Sequence, residues 1–290
     1  MVRNIAKDID PGQPSVERVA LVTGASSGIG AATVRSLRER GYLVYGAARR
    51  VSRLTALEAE GMRALAIDVT DDAAMSGGVE RVLQETGRID VLVNNAGFGA
   101  YGALEDVPME DGRRQFDVNL FGPARLIQLV LPTMRAQKSG TIVNVSSIGG
   151  KIYGPLGSWY HATKFALEGL SDALRLELAP FGIRVVIVEP GAIRTEWNTI
   201  ARENLIETSG DTAYAAIAHR VRDVLARADA AEHGSDPRVV AEAIGTAVTA
   251  RIPRARYAVG SGARSAVLGR RLLSDATLDR IIGRNMGTRD

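Results

Sequence analysis

Tyr160 and Lys164 stand four positions apart in the run Ser158-Trp159-Tyr160-His161-Ala162-Thr163-Lys164. That spacing places two side chains one turn apart on the same face of a helix. A free phenol, with a pKa of about 10, is a poor acid or base near neutrality. A neighbouring cation favours phenolate and lowers that value. A shift of about three units corresponds to about 4 kcal/mol of differential stabilisation. Lysine together with a bound cationic ring could supply that. The pair reads as a proton-transfer device, provided a hydride carrier lies beside it. The same spacing also occurs on ordinary amphipathic helices, with the ring on the core and the ammonium in water. The rest of the chain has to decide between the two.

Three other segments bear on that decision. Val19-Ala20-Leu21-Val22 is a short apolar run suited to a strand buried on both faces. Thr23-Gly24-Ala25-Ser26-Ser27-Gly28-Ile29-Gly30 follows at once, and Ala31 to Arg40 reads as a helix. Glycines at such a turn let backbone approach a phosphate, whose charge the helix amino terminus favours. A second run, Ile89 to Val93, ends in Asn94-Asn95-Ala96-Gly97. Ligands of open parallel sheets bind beyond the carboxyl ends of the strands, so Asn94 lies where a cofactor could lie. Asn and Gly also favour plain turns. A third run, Thr141 to Val145, ends in Ser146-Ser147. Alternation along a strand turns only one of these serines to the site.

Strand signals fall near 18–23, 43–48, 63–67, 90–93, 140–146, 183–189 and 255–259, with helices within 29–40, 72–86, 110–136, 160–180 and 237–250. This alternation predicts an α/β fold, a single doubly wound parallel sheet of about seven strands flanked by helices. Residues 1–16, with Pro11, Gly12 and Pro14, read as a loose tail ahead of a catalytic domain over 17–260. A polar, helical stretch over 192–235 interrupts the alternation and is expected to form a substrate lid.

Taken together, the chain resembles the short-chain dehydrogenase/reductase family. The carrying residues are Thr23 to Gly30, Asn94 to Gly97, Asn119, Ser147, Tyr160, Lys164, and Pro190-Gly191 with Thr195. The resemblance is clear over residues 17 to 195 and thinner to 260. It implies a Rossmann-type fold and a nicotinamide cofactor. It makes Tyr160 the general acid in reduction and the base in oxidation. Lys164 would hold the nicotinamide ribose and lower the tyrosine pKa. Ser147, thirteen residues before Tyr160, would bond the substrate oxygen. Asn119 would help a water relay protons toward the lysine. The remaining cofactor contacts implied are Gly24, Ser26, Ser27, Gly28, Ile29, Gly30, Asp68, Val69, Asn95, Ala96, Gly97, Pro190, Gly191, Ile193 and Thr195. Such a constellation suits carbonyl–alcohol interconversion, the cofactor carrying the hydride and the protein managing the proton.

Cofactor choice turns on the end of the second strand. Ala48 stands where NAD-linked relatives usually carry an acid, and Arg49 and Arg50 follow, with Arg53 beyond. Arginine suits a 2′-phosphate, so NADP(H) is expected and NAD is the alternative. Ser27 departs from the pattern, being neutral where many NADP-linked relatives carry Lys or Arg. Phe98, Tyr153, Leu156, Trp159 and Trp197 could line an apolar pocket, or serve only as core. The run from Lys151 through Leu170 resembles members acting on hydrophobic alcohols or ketones such as steroids and retinoids. An NAD-linked dehydrogenase and a non-catalytic NADP(H)-binding sensor are the rival readings. A sensor would typically have lost one of Asn119, Ser147, Tyr160 or Lys164, and all four are present.

Composition fits without deciding. The chain has no cysteine, which excludes disulfides and thiolate metal sites, and its three histidines lack ligand spacing, so no metal is expected. A net charge of +3 gives no argument for nucleic acid. No apolar run reaches the length of a membrane helix, and Met1 to Ser15 lacks a signal-peptide core, so a cytoplasmic protein is expected, as a homodimer or homotetramer. His161, one step from Tyr160, reads as a packing or surface residue. Residues 251–290 carry nine arginines against three aspartates, and 261–290 reads as a basic helical extension. It would pack on the subunit or at an oligomer contact, or lie on anionic membrane.

Overall fold

Seven short runs rich in Val, Ile, Leu and Ala form seven strands: β1 (Arg18–Thr23), β2 (Tyr42–Ala48), β3 (Arg63–Ala66), β4 (Val91–Asn94), β5 (Gly140–Val145), β6 (Ile183–Pro190) and β7 (Arg256–Val259). The computed structural model describes residues 17–227, 230 and 233–288. The tail expected over 1–16 lies outside the described residues. The strands make one sheet in the order β3-β2-β1-β4-β5-β6-β7, and every neighbouring pair is parallel. Chain direction across the sheet reverses between β1 and β4, and ligand crevices form beyond the carboxyl ends at such a switch.

The helices are α1 (Gly28–Glu39), α2 (Thr55–Ala59), α3 (Asp72–Thr86), α4 (Met109–Phe116), α5 (Gly122–Gln137), α6 (Ser158–Leu178), α7 (Glu196–Ser209), α8 (Ala215–Arg227), α9 (Arg238–Thr249), α10 (Ala263–Leu272) and α11 (Asp275–Met286). Strand alternation divides the core in two. Ala20 and Val22 of β1, with Val91 and Val93 of β4, meet Val34 and Leu37 of α1 and Val240 and Ile244 of α9. On the other face Val19, Leu21 and Leu92 meet Val79 and Val82 of α3 and Leu126 and Val130 of α5. With both faces covered, the strands read as nearly continuous apolar runs.

The helix expected over 110–136 is two helices, α4 and α5, joined by a π-helical turn at Asp117–Phe121. Pro123 has no N–H to offer the Asn119 carbonyl four residues earlier, so a regular α-helical ladder cannot continue there. Gly122 fits against the Val69 carbonyl, where a Cβ would come within 2.4 Å. The 192–235 stretch holds α7 and α8, and its ends meet: Ser235 N–H donates to the Ala192 carbonyl at 3.0 Å, and Arg194 N–H to the Ser235 carbonyl at 2.9 Å. Among the described residues no helix is long and apolar enough to cross a membrane.

Candidate active site

The turn after β1 is shaped by contacts that only glycine permits. Gly24 and Gly28 have φ of +64° and +49°, a region costly for any Cβ. At Gly30 a Cβ would lie 2.1 Å from the Gly24 oxygen and 2.6 Å from Asn95 Nδ2, so α1 seats directly on the turn. Asn95 Nδ2 donates to the carbonyls of Thr23 at 3.0 Å and Gly24 at 3.2 Å. The N–H groups of Asn95 and Ala96 both donate to Thr23 Oγ1, each at 3.0 Å. These two residues brace the turn from β4. Ser27 offers α1 no side-chain cap, and its first turn carries no acid. That leaves an N-terminal ring of N–H groups suited to phosphate oxygens. The donor set therefore fits a dinucleotide.

Other expected contacts lie around this turn. Ser26 and Ser27 are half-buried beside it. Thr195 sits over it, 3.0 Å from where a Gly28 Cβ would be. Ile29 and Ile193 give their side chains to the core, so only their backbones are available to a ligand. Pro190 ends β6, and Gly191 lies so close to Ser261 that a Cβ would be 2.1 Å from its oxygen. Asp68 Oδ1 is occupied by Thr70, accepting from its N–H at 3.0 Å and its hydroxyl at 2.8 Å. Val69 is core. Arg49 and Arg50 are exposed past the end of β2, whereas Arg53 pairs with Glu196 at 3.1 Å.

Four side chains converge beyond β4 and β5. Lys164 Nζ donates to the Val145 carbonyl at 2.9 Å and lies 5.9 Å from the Tyr160 ring centre. Asn119 Nδ2 donates to Thr163 Oγ1 at 3.1 Å, and Thr163 donates to the Tyr160 carbonyl at 2.8 Å. Gly97 faces the same space: a Cβ there would be 3.1 Å from Asn119 Oδ1 and 3.8 Å from Lys164 Nζ. Ser147 lies beside the phenol and accepts from Gly149 N–H at 3.0 Å. Ser146 is turned inward and buried, its hydroxyl without a partner. Alternation along the strand thus selects Ser147.

A scan against family models gives the decisive observation: the model described as short chain dehydrogenase matches residues 18–205. This chain is a short-chain dehydrogenase. It is 38% identical over 244 residues to a 3-ketodihydrosphingosine reductase of Bacteroides thetaiotaomicron, covering 84% of this chain and 88% of that protein. A short-chain dehydrogenase structure from Streptomyces avermitilis shares 36% identity with a TM-score of 0.79, over 96% of this chain and all of that one (100%). A metagenomic short-chain oxidoreductase in complex with NADP shares 30% identity with a TM-score of 0.67, over 85% and 98% of the two chains.

Burial dominates the electrostatics of this short-chain dehydrogenase. It pushes the Tyr160 phenol up to about 12, and the Ser147 hydroxyl opposes it. Lys164, expected to lower the phenol, has its ammonium on the Val145 carbonyl, 5.9 Å from the ring centre. Burial brings Lys164 down to about 8, against the pull of Glu168. Glu168 anchors an ionic cluster behind the lysine: Lys151 Nζ is 2.6 Å from it, and Arg256 reaches Glu168 at 3.0 Å, Asp172 at 2.6 Å and Glu189 at 3.3 Å.

Of the five residues expected around a pocket, two pack in the cluster that holds Tyr160. Trp197 lies 5.2 Å from Tyr160 ring to ring, and Leu156 joins the same cluster, with Leu205 and Ala201 of α7. Trp159 instead packs on α4, edge to face with Phe116 at 6.2 Å. Phe98 lies under the Arg114 guanidinium, and Tyr153 donates to Asp279 of α11 at 2.8 Å. Asn94 does not open on the cofactor crevice; its Nδ2 donates to Asn144 Oδ1 at 2.9 Å inside the sheet. Two further residues border Tyr160, of which the sequence singles out only His161. Tyr101 stacks 5.7 Å from Tyr160. His161, read as packing or surface, bridges the loop before α6: its Nδ1 meets the Gly149 carbonyl at 3.0 Å and its Nε2 accepts from Gly154 N–H at 3.0 Å.

Proposed function

We propose that this short-chain dehydrogenase is an NADP(H)-dependent oxidoreductase that interconverts a carbonyl and an alcohol on a hydrophobic small molecule. The observation that carries this is the convergence of Tyr160, Ser147 and Lys164, with apolar side chains packed on Tyr160, on a fold whose β1–α1 turn ends in an uncapped, glycine-lined helix terminus. The nicotinamide cofactor supplies the hydride. Tyr160, kept protonated by burial, gives its proton to the substrate oxygen in reduction and takes it back in oxidation. Ser147 shares that oxygen by hydrogen bonding and so stabilises the charge that develops on it. Lys164 holds the ribose, and its proximity to neutrality suits it to replenish the tyrosine proton. Asn119 fixes the backbone behind both.

Arg49 and Arg50, exposed past β2 with Ala48 in place of an acid, support a 2′-phosphate and hence NADP(H). The NADP complex of the metagenomic relative supports the same choice. The apolar residues packed with Tyr160, among them Trp197, Leu156 and Leu205, support an apolar substrate, with residues 192–235 as its lid. The relative named as a 3-ketodihydrosphingosine reductase supports a ketone on an apolar chain. The test is NADPH and NADH consumption over a panel of carbonyls that includes 3-ketodihydrosphingosine, simpler apolar ketones and sugars. Turnover of apolar ketones with NADPH is expected. Activity confined to sugars, or equal or better use of NADH, would overturn the reading.

A further inference from the structure

Tyr101 is a buried polar side chain against the candidate catalytic tyrosine that the proposed reaction leaves unused. It is 7% exposed, and its ring lies 5.7 Å from that of Tyr160 and 6.0 Å, edge-on, from that of Trp197. Its placement is built rather than incidental. The Tyr101 N–H donates to Asn204 Oδ1 of α7 at 2.9 Å. Two glycines make the slot for the ring: a Cβ at Gly157 would lie 2.9 Å from Cε1, and one at Gly99 would lie 3.2 Å from Cε2. Leu156, next to Gly157, is held in the left-handed region at φ +61°, an uncommon state for a residue with a branched side chain. Its carbonyl accepts from Gly102 N–H at 2.8 Å, which ties the two flanks of the slot together. Strained residues persist where the surroundings over-determine them, and they gather at ligand sites.

A buried tyrosine hydroxyl normally finds a partner. Those of Tyr45, Tyr153 and Tyr214 each donate to a carboxylate at 2.8 Å. The Tyr101 hydroxyl makes no hydrogen bond among the described residues, and its oxygen is not sealed from solvent as those of Asn94, Ser146 and Glu189 are. Burial, and then the neighbouring Tyr160, push its pKa up, so it is a pure phenol throughout the working range and a donor in search of an acceptor. Beside it lies Tyr160, which with Ser147 would hold the reacting carbonyl.

We infer that Tyr101 forms a polar subsite, donating a hydrogen bond to an oxygen substituent adjacent to the substrate's reacting carbonyl. This rests on the carbonyl–alcohol function proposed above and narrows it to apolar ketones that carry a neighbouring hydroxyl or second carbonyl. A pocket of rings and leucines cannot by itself distinguish such compounds from plain ketones. A donor that the bound ligand shuts off from water does, because a ligand without the oxygen leaves it unsatisfied.

The experiment compares the unaltered enzyme and Tyr101→Phe, with NADPH, on a matched pair: a long-chain methyl ketone and the 1-hydroxy-2-ketone of the same length. Phenylalanine keeps the ring and its packing, and an unchanged thermal midpoint confirms the fold. The expected result is a drop in kcat/KM of about tenfold on the hydroxy ketone, seen mainly in KM, with the plain ketone unchanged within about twofold. Equal losses on both substrates, or no loss on either, would overturn the subsite alone. Reduction of neither ketone by the unaltered enzyme would overturn it together with the function it rests on.

Discussion

The Asn119 carboxamide is bonded to both backbone groups of Phe98, accepting from its N–H at 3.0 Å and donating to its carbonyl at 2.8 Å. The same Nδ2 reaches Thr163 on α6. One side chain therefore joins the loop after β4 to the helix that carries Tyr160 and Lys164, and the π-helical turn is what lets it point there. Asn119→Ala removes three hydrogen bonds and leaves the half-buried amide and carbonyl of Phe98 without their partner, which costs about 1 kcal/mol. Urea unfolding should show that loss, and kcat/KM should fall further than the folded fraction explains. A variant of unaltered stability would contradict the bracing role.

Lys164 gives the fold a pH signature. Its pKa falls from the ordinary 10.5 to about 8 on burial. Between those values the unfolded chain binds more protons than the native one, so stability rises with pH, by up to about 3 kcal/mol for this group. Tyr160 acts oppositely but only above pH 10, where the unfolded phenol ionises before the buried one, whose pKa is about 12. Lys164→Met removes the lysine contribution. Chemical denaturation at pH 7.5 and pH 10 should show the unaltered chain gaining stability relative to the variant; a difference independent of pH would refute the depressed lysine.

His161 is held in one tautomer. A carbonyl can only accept and an amide N–H only donate, so Nδ1 carries the proton toward Gly149 and Nε2 is bare toward Gly154. Burial lowers its pKa. Because the unfolded imidazole takes a proton first, this residue's contribution to stability is present above about pH 6.5 and is lost as pH falls further. His161→Gln, which can still donate and accept, should retain activity while flattening the acid limb of the stability profile. An unchanged acid limb would count against the clamp.

Arg49 offers a test of cofactor choice that leaves the chemistry untouched. It is exposed at the end of β2, so Arg49→Asp should fold normally. The ratio of kcat/KM for NADPH to that for NADH is expected to fall at least tenfold, about 1.4 kcal/mol of lost discrimination. A ratio that does not move would remove Arg49 from the phosphate site.

Much of this architecture is legible in the chain. Apolar runs punctuated by glycine and asparagine locate all seven strands, because strands buried on both faces admit little else. Tyr160, Lys164, Ser147 and Asn119 are legible as a set because together they match the motif of the family the chain resembles. What is hidden depends on geometry across the sequence. Asn94 and Asn95 look interchangeable until alternation sends Asn94 into the sheet and Asn95 onto the glycine turn. The break at Asn119 is signalled only by Pro123, which a first helical turn tolerates. Tyr101 owes its position to Asn204, Gly99 and Gly157, partners that no local pattern connects.

The most direct measurement is Tyr160→Phe, assayed for both NADPH binding by nicotinamide fluorescence and reduction of the best ketone in the panel. Loss of the proton donor should lower kcat by about 10²–10⁴-fold, while NADPH affinity stays within a few fold. Turnover that survives the substitution would contradict the assignment of Tyr160 as the acid and base of the reaction.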